Sequence, residues 1–333
     1  MPTLLGSLRR LLMAPTAIDV SFATRGFPVE RNEATHRLEA IPQAVVCGFE
    51  WAIDDPGTPG PGRADTDTEL RIRLMEPDLR GFAYEGAAMA LTVRDAMGPG
   101  RGGRTRRLLL GPARPHIFLA YIGVGFALAR LPRPLWRKAV PDLTGADYPQ
   151  MSWLVVDGYG FDRAYFDTAT VVDGQKRLPP YPWEGDPDYF GRAVDQGIGR
   201  ALWFMHGANA PAVAAAVGRF ASERHADLWS GAGLAATFAG CCPPAGLEAL
   251  RRAAGEHAGE LAQGAVFAAK ARARSGTVPE HTHTALTALA GLDIGKAVAL
   301  ADDCTADRAA GPGRPAYEQW RRNVRERLAE MAG

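Results

Sequence analysis

The sequence predicts an all-α fold built from repeated helical hairpins. A Gly-x-x-x-Ala motif recurs about every 35 residues, and segments that begin with proline and end in charge lie between its copies. In addition, 47% of the 333 residues are hydrophobic, which is enough to build a large core. A supersecondary unit that returns at a fixed period is typical of stacked helix pairs, each of which buries its apolar face against its neighbours.

The motif has eight copies, and seven of them carry alanine four residues after the glycine. Positions i and i+4 lie on one face of a helix, so small residues at both allow a second helix to approach closely. We therefore predict a set of inner helices crowded around an axis. These helices are expected near residues 48, 86, 123, 158, 197, 231, 264 and 295.

Outer helices are predicted between the inner ones. Proline at a first turn and charge near the end are common helix boundary signals. The predicted outer helices span residues 211–224, 244–256 and 279–292, with earlier equivalents at 32–46 and 68–75.

Seven or eight such hairpins suit closure into an α/α toroid, which we predict, with an open α-solenoid as the alternative. Glycine- and proline-rich loops are expected at 56–63 and 97–103. The predicted organisation is an N-terminal extension at 1–31, a helical-hairpin repeat domain at 32–310 and a C-terminal capping helix at 311–333.

The charge balance excludes some classes of partner. The formal net charge is +1, which gives no overall attraction to nucleic acid or to an anionic membrane. The longest apolar stretch, residues 117–129, is shorter than the roughly 20 residues that span a bilayer, so we expect a buried helix and no stable membrane insertion. Four cysteines without a readable disulfide pattern favour a cytoplasmic location.

Two acidic residues break the small-residue rule of the inner helices. Asp162 stands where the fourth copy should have alanine, and Glu50 follows the first glycine of the series by two positions. A carboxylate on a crowded helix face needs a partner or water. Asp162 is therefore the strongest single candidate for a functional residue.

More polar and aromatic residues cluster around the motif glycines, where we expect the inner helices to begin. They act either as helix caps or as a ring around a pocket mouth, where burial raises a carboxylate pKa toward the general acid/base range. For the individual acids capping is the favoured interpretation. The candidate catalytic residues are Asp162, Asp157, Glu85 and Asp195, and the candidate substrate-binding residues are Tyr121, Tyr159, Trp229, Tyr84, Gln196 and Glu50.

No cofactor is evident from sequence motifs. His281 and His283 with Glu280 resemble metal ligands, but alternating residues at a helix start point apart. Cys241 and Cys242 precede two prolines and do not form a Cys-x-x-Cys zinc motif. The recurring glycines lack the flanking strands of a dinucleotide fingerprint.

Five linked blocks resemble one known family, over about residues 8 to 305. The blocks are VSFATRGFPV, YEGAAMALTVRDAM, YIGVGFALARLPRPLW, VDGYGFDRAYFD and DQGIGRALWF. They resemble the UnbL-type proteins of enediyne biosynthesis, which are encoded in actinomycete gene clusters beside an iterative polyketide synthase. The resemblance implies a role in converting a linear polyene into the enediyne core, and it transfers no catalytic residue.

The glycine-led inner helices also look like those of lanthionine-cyclase-type toroids, which hold zinc through cysteine and histidine. That set of ligands has no convincing equivalent in this sequence, and a fold does not fix a function. We therefore expect an accessory biosynthetic protein, preferably an enzyme, that binds a hydrophobic polyene. Its expected protein partners are the polyketide synthase or companion proteins of the same pathway. The alternatives are a non-catalytic polyene-binding or scaffold protein and a zinc-dependent cyclase or lyase.

Overall fold

The computed structural model of the protein describes residues 16–55, 65–98 and 103–332. Within these ranges the chain is helical and contains no β-strand, which confirms the all-α fold class with repeated helices. The helices are α1 (Phe22–Arg25), α2 (Glu33–Ile53), α3 (Asp67–Leu74), α4 (Arg80–Met97), α5 (Arg104–Leu110), α6 (Ile117–Arg130), α7 (Trp136–Ala139), α8 (Trp153–Phe166), α9 (Pro187–Met205), α10 (Ala210–Gly218), α11 (His225–Ala239), α12 (Pro244–Ala254), α13 (Ala258–Ser275), α14 (Glu280–Ala290), α15 (Ile294–Asp303) and α16 (Ala316–Ala332).

The chain divides into two compact units, a division that the sequence did not predict. The first unit contains the described part of Met1–Arg25 together with Glu39–Tyr159, and the second contains Gly26–Leu38 and the described part of Gly160–Gly333. Of the three boundaries, one follows the end of α1 and the other two fall inside α2 and α8. Closure of the repeats into a toroid stays a prediction.

Successive inner helices of the second unit touch backbone to backbone at glycine. A Cβ built on Gly231 in α11 would lie 1.9 Å from the carbonyl oxygen of Gln196 in α9. A Cβ on Gly233 would lie 2.0 Å from the carbonyl oxygen of Leu261 in α13. The two glycines of this Gly-x-Gly pair therefore face opposite neighbours, and only glycine leaves room for both contacts.

The first unit repeats this arrangement. A Cβ on Gly123 in α6 would lie 1.9 Å from the carbonyl oxygen of Glu85 in α4, and one on Gly125 would lie 2.0 Å from that of Val155 in α8. The first glycine of the pair again faces the preceding inner helix and the second faces the following one. Such a short separation brings Cα–H groups onto carbonyl oxygens, a weak attraction that recurs at close helix contacts.

The outer helices follow the predicted spacing in the second unit. α10, α12 and α14 correspond to the three predicted proline-led segments, and α3 corresponds to the one predicted at 68–75. A helix is also present where the capping helix was predicted at 311–333, as α16. The apolar stretch predicted to form a buried helix is α6, which is buried from Ile117 to Leu128.

Two sequence expectations are wrong in detail. Residues 32–46 are not a separate outer helix, because α2 runs without a break from Glu33 to Ile53. The eighth copy of the motif is not an inner helix, since Gly295 and Ala299 in α15 are exposed to solvent. The predicted domain bounds stay a prediction, and Phe22 and Phe27 of the predicted extension are buried. The loop at 56–63 and most of the loop at 97–103 lie outside the described residues.

Across the described ranges, no single helix is long and apolar enough to cross a membrane. Only α14 and α15 taken together meet the length and composition of a span, and that pair is bent by 64°.

Two glycines of α9 test the close packing against a matched control. Gly199 faces the carbonyl oxygen of Leu228, where a Cβ would lie 2.0 Å away, whereas a Cβ on Gly191 would meet no atom within 4 Å. We expect Gly199→Ala to lower the free energy of unfolding by about 1–3 kcal/mol through overpacking. Gly191→Ala should raise it by about 0.5–1 kcal/mol, because alanine is the better helix former. Urea denaturation measures both, and equal effects would contradict the backbone contact.

Candidate functional site

The predicted acidic residues lie inside their helices and not at helix starts. Glu85 follows the first residue of α4 by five positions, Asp157 follows that of α8 by four, and Asp195 follows that of α9 by eight. A cap must precede the first helical residue, so the capping interpretation is wrong for these three acids. All three carboxylates are buried, with Asp157 fully inaccessible to solvent.

The other predicted residues differ widely in exposure. Asp162 is buried, as expected for a carboxylate on an inner helix, and so is Trp229. Glu50 is exposed, so its expected place on a crowded inner face is wrong. In α2 the glycine Gly48 faces the backbone of Ala83, and the position two residues later points away to solvent because successive helical positions are about 100° apart.

The predicted aromatic residues have separate partners in the first unit. The hydroxyl of Tyr121 donates to the carbonyl oxygen of Asp147 at 3.2 Å. The ring of Tyr159 packs edge-on against Trp136, with ring centroids 5.1 Å apart. The candidate residues as a group divide between the two units, and a common mouth formed by both units stays a prediction.

Asp195 forms a buried ion pair with Arg224 in the second unit. Nη2 of Arg224 lies 2.6 Å from Oδ1 of Asp195, and Nε lies 3.1 Å from both carboxylate oxygens. Burial raises the pKa of the Asp195 carboxyl, and the hydrogen bonds from Arg224 oppose that shift. A ligand would have to displace Arg224 to use Asp195 in proton transfer.

Gln196 is likewise committed to another side chain. Its Nε2 donates to the hydroxyl of Tyr317 at 2.9 Å, and that hydroxyl lies 3.0 Å from its Oε1. Both residues are almost fully buried. Gln196 therefore anchors the C-terminal helix α16 and does not line an open mouth.

The residues that precede two further motif glycines also contact α16 or each other. The hydroxyl of Ser230 in α11 donates to Oε1 of Gln263 in α13 at 3.1 Å, and Nε of Arg321 donates to the same oxygen at 3.0 Å. The two hydrogen bonds to Oε1 fix the position of the Gln263 side chain. In the second unit, two of the residues that precede motif glycines, Gln196 and Gln263, are thus hydrogen-bonded to side chains of α16.

Arg321 is the centre of a buried charged group, which we name the C-terminal cluster: Tyr189, Asp227, Gln263, Glu318 and Arg321. The Arg321 side chain is fully buried. Its Nη1 lies 2.6 Å from the Tyr189 hydroxyl, 2.8 Å from Oδ1 of Asp227 and 3.0 Å from Oε2 of Glu318. Arg192 and Arg325 pair with the same acids from the edge.

Arg321 was not among the predicted site residues, although the sequence carries a signal for it. Tyr317, Trp320, Arg321 and Val324 are spaced three, four and seven residues apart, which places them on one face of α16. All four are buried. An arginine on the apolar stripe of a helix indicates a buried ion pair, and its acidic partners are distant in sequence and therefore not identifiable from spacing.

The first unit contains an open cleft between α2, α3, α4 and α5, which we name the Tyr84 cleft. It encloses about 90 Å³, which is smaller than the roughly 300–1,000 Å³ of typical small-molecule sites. Its apolar lining comes from Ala52, Ala87, Leu91, Leu108 and Pro112. Its polar lining comes from Asp55, Thr66, Thr68, Glu69, Tyr84, Arg104 and Arg107.

Tyr84 is the one predicted binding residue that lines this cleft. It is half-buried, and its ring stacks on His116 with centroids 5.1 Å apart. Burial raises the pKa of the Tyr84 hydroxyl, and the nearby charge of Glu69 raises it further. Tyr84 is therefore a hydrogen-bond donor at neutral pH, with its ring held in place by the histidine.

The described residues contain no group of three or more histidine, cysteine or acidic side chains placed to hold a metal ion. All four cysteines lie in the described ranges and are free thiols. Burial raises the pKa of Cys241 to about 11, and burial together with its neighbour raises that of Cys242 to about 11. These thiols are protonated at neutral pH and are poor nucleophiles.

The fold defines an all-helical repeat protein whose inner helices contact each other at glycine. Comparison with known families then shows the family to which the chain belongs. Residues 4–328 match the family described as "Protein of unknown function (DUF1702)". The chain belongs to this family. No curated protein and no solved structure matches the chain.

Removal of Arg321 tests the C-terminal cluster. Arg321→Ala leaves Asp227 and Glu318 buried with fewer cationic partners, so we expect the free energy of unfolding to fall by about 3–5 kcal/mol. The control is Arg322→Ala, which removes a half-exposed pair with Glu326 and should leave the free energy of unfolding nearly unchanged. Denaturant unfolding of both variants measures the difference, and a small loss for Arg321→Ala would contradict the cluster.

The same cluster predicts a dependence of stability on pH. Burial raises the pKa of Glu318, but Arg321, Arg192 and Arg325 outweigh burial and lower it to about 2 from an ordinary value of 4.5. Because the pKa is lower in the folded state, the stabilisation is complete above about pH 5 and is lost as the pH falls toward 2.

Wild-type protein should therefore lose about 3 kcal/mol more stability than Glu318→Gln on acidification from pH 6 to pH 2.5. Denaturant unfolding across that range is the measurement. Parallel loss in the two proteins would show that Glu318 is not the titrating group.

Proposed function

We propose that this protein is an accessory biosynthetic enzyme that acts on a linear polyene polyketide during enediyne core formation in the cytoplasm. The Tyr84 cleft is the observation that carries the proposal. Its apolar lining suits a hydrocarbon chain, because burial of apolar surface contributes about 25 cal/mol per Å². The resemblance of five sequence blocks to the UnbL-type proteins supplies the class of substrate.

The enzymatic form of the proposal assigns proton transfer to buried carboxylates. Glu85 and Asp157 in the first unit and Asp162 in the second are buried on inner helices. Carboxylates are common general acids and bases in enzymes. The proposal includes contact with the polyketide synthase or companion proteins that deliver the polyene.

A second candidate, a non-catalytic polyene-binding protein, is favoured by a different observation. Asp195 is held by Arg224 and Gln196 by Tyr317, so two of the predicted site residues serve internal contacts. In this form the cleft shields the conjugated chain from side reactions, and no carboxylate is required for product formation.

The cleft is tested with a variant in its apolar lining. Leu91→Gln places an amide among the apolar groups and should weaken polyene binding at least tenfold, because a buried leucine contributes about 1.5–3 kcal/mol. The matched control is Leu74→Gln, since Leu74 is 89% exposed and lies outside the lining. Purified protein is incubated with the synthase product and its companions, and polyene binding is followed by fluorescence and products by mass analysis.

Equal binding by both leucine variants, with thermal unfolding unchanged, would contradict the proposed site. Asp162→Asn and Glu85→Gln then separate the two forms of the proposal in the producing strain. Loss of product with polyene binding retained supports the enzyme. Full product formation by both variants supports the binding protein.

A further inference from the structure

The C-terminal cluster contains two buried donor atoms that bind no acceptor within the described part of the chain. They are Nη2 of Arg321 and Nε2 of Gln263. The other nitrogens of Arg321 are engaged, since Nε donates to Oε1 of Gln263 at 3.0 Å and Nη1 faces the tyrosine and acid partners described above. Both side chains are fully buried, so bulk solvent does not reach the two donor atoms.

The two donor atoms flank a single hydrogen bond. Nη2 is two bonds away from Nε in the guanidinium, and Nε2 is two bonds away from Oε1 in the amide. Because Nε and Oε1 are joined at 3.0 Å, the two donors lie side by side. Reversal of the Gln263 amide would only exchange one unpaired donor for another, since its N–H groups would then face Nε of Arg321.

Buried N–H groups are nearly always hydrogen-bonded, either to protein or to ordered water. Leaving a buried donor unpaired costs its full desolvation penalty, whereas one small acceptor beside Arg321 and Gln263 satisfies both donors. The geometry of this pair therefore indicates a bound acceptor at the contact between α13 and α16.

The charges around the pair indicate which kind of acceptor is bound. Three guanidinium groups and three carboxylates meet here: Arg192, Arg321, Arg325, Asp227, Glu260 and Glu318. These charges balance, so a buried anion would add a negative charge without a cation to pair with it. A neutral acceptor avoids that cost, and water is the common neutral ligand of buried polar groups.

We infer that a buried water molecule is bound between α13 and α16, where it accepts hydrogen bonds from Nη2 of Arg321 and Nε2 of Gln263. The water is part of the contact that holds the C-terminal helix on the inner helices. This site lies in the second unit and is independent of the Tyr84 cleft and of the proposed function.

The test is a crystal structure of the wild-type protein grown from a bromide salt, at a resolution that shows ordered solvent. We expect a density peak within hydrogen-bond distance of both donor atoms. The peak should give no anomalous signal at the bromine absorption edge, because a water site does not take up bromide. An anomalous peak at this position would overturn the inference in favour of a small anion. Absence of a peak, or a protein acceptor at the two donors, would overturn it as well.

Two glutamate variants extend the test. Gln263→Glu replaces the amide nitrogen by a carboxylate oxygen that accepts directly from Nη2 of Arg321, so the solvent peak should be lost. Gln319→Glu is the matched control on α16, since Gln319 is half-buried and bonds to Asn323 outside the cluster. It should keep the peak.

Retention of the peak in Gln263→Glu would overturn the inference, because the amide would then not be one of its donors. Loss of the peak in both variants would also overturn it, since any added carboxylate would then have the same effect. If Gln263→Glu does not fold, the wild-type structure alone decides.

Discussion

The structure depends on one packing constraint, which is the contact between a glycine Cα and the backbone carbonyl of a neighbouring inner helix. A Cβ at Gly123 or Gly231 would lie 1.9 Å from a carbonyl oxygen, a distance that no real side chain tolerates. Helices that approach so closely exclude bulky side chains from the contact, so the larger aromatic residues pack elsewhere. The same closeness favours the small alanine one turn later in the motif copies that lie on inner helices.

Much of this architecture was predictable because the constraint is local in sequence. The repeat of glycine and alanine identified most inner helices and their period. It did not reveal that the second glycine of each Gly-x-Gly pair faces the following helix, although Gly125 and Gly233 both do so. The helix starts were misplaced, because a glycine needed for packing lies in mid-helix and resembles a boundary signal when it is read alone. The exposed eighth copy shows that residues can match the Gly-x-x-x-Ala motif without packing against a neighbouring helix.

The candidate site was less predictable, for a physical reason. The C-terminal cluster joins Arg321 to Tyr189 and Asp227, which are 132 and 94 residues away. No periodicity links such residues, and only the fold brings them together. Gln196, which was predicted to bind substrate, bonds to Tyr317 beside this cluster, so the second unit uses it to hold α16. In the first unit, Tyr84 was identified from its position two residues before a motif glycine. The absence of an ion pair at Arg107 among the described residues could be recognised only from the contacts that the structure shows.

The two units thus use their polar groups differently. In the second, buried ions satisfy each other and stabilise the fold, whereas in the first an open apolar cleft carries one arginine that is free of acidic partners in the described part of the chain. The most direct test of the proposed site is a crystal structure of the protein with a linear conjugated polyene. We expect the polyene to contact the apolar lining of the Tyr84 cleft, including Leu91. A polyene bound elsewhere on the protein would contradict the proposed site.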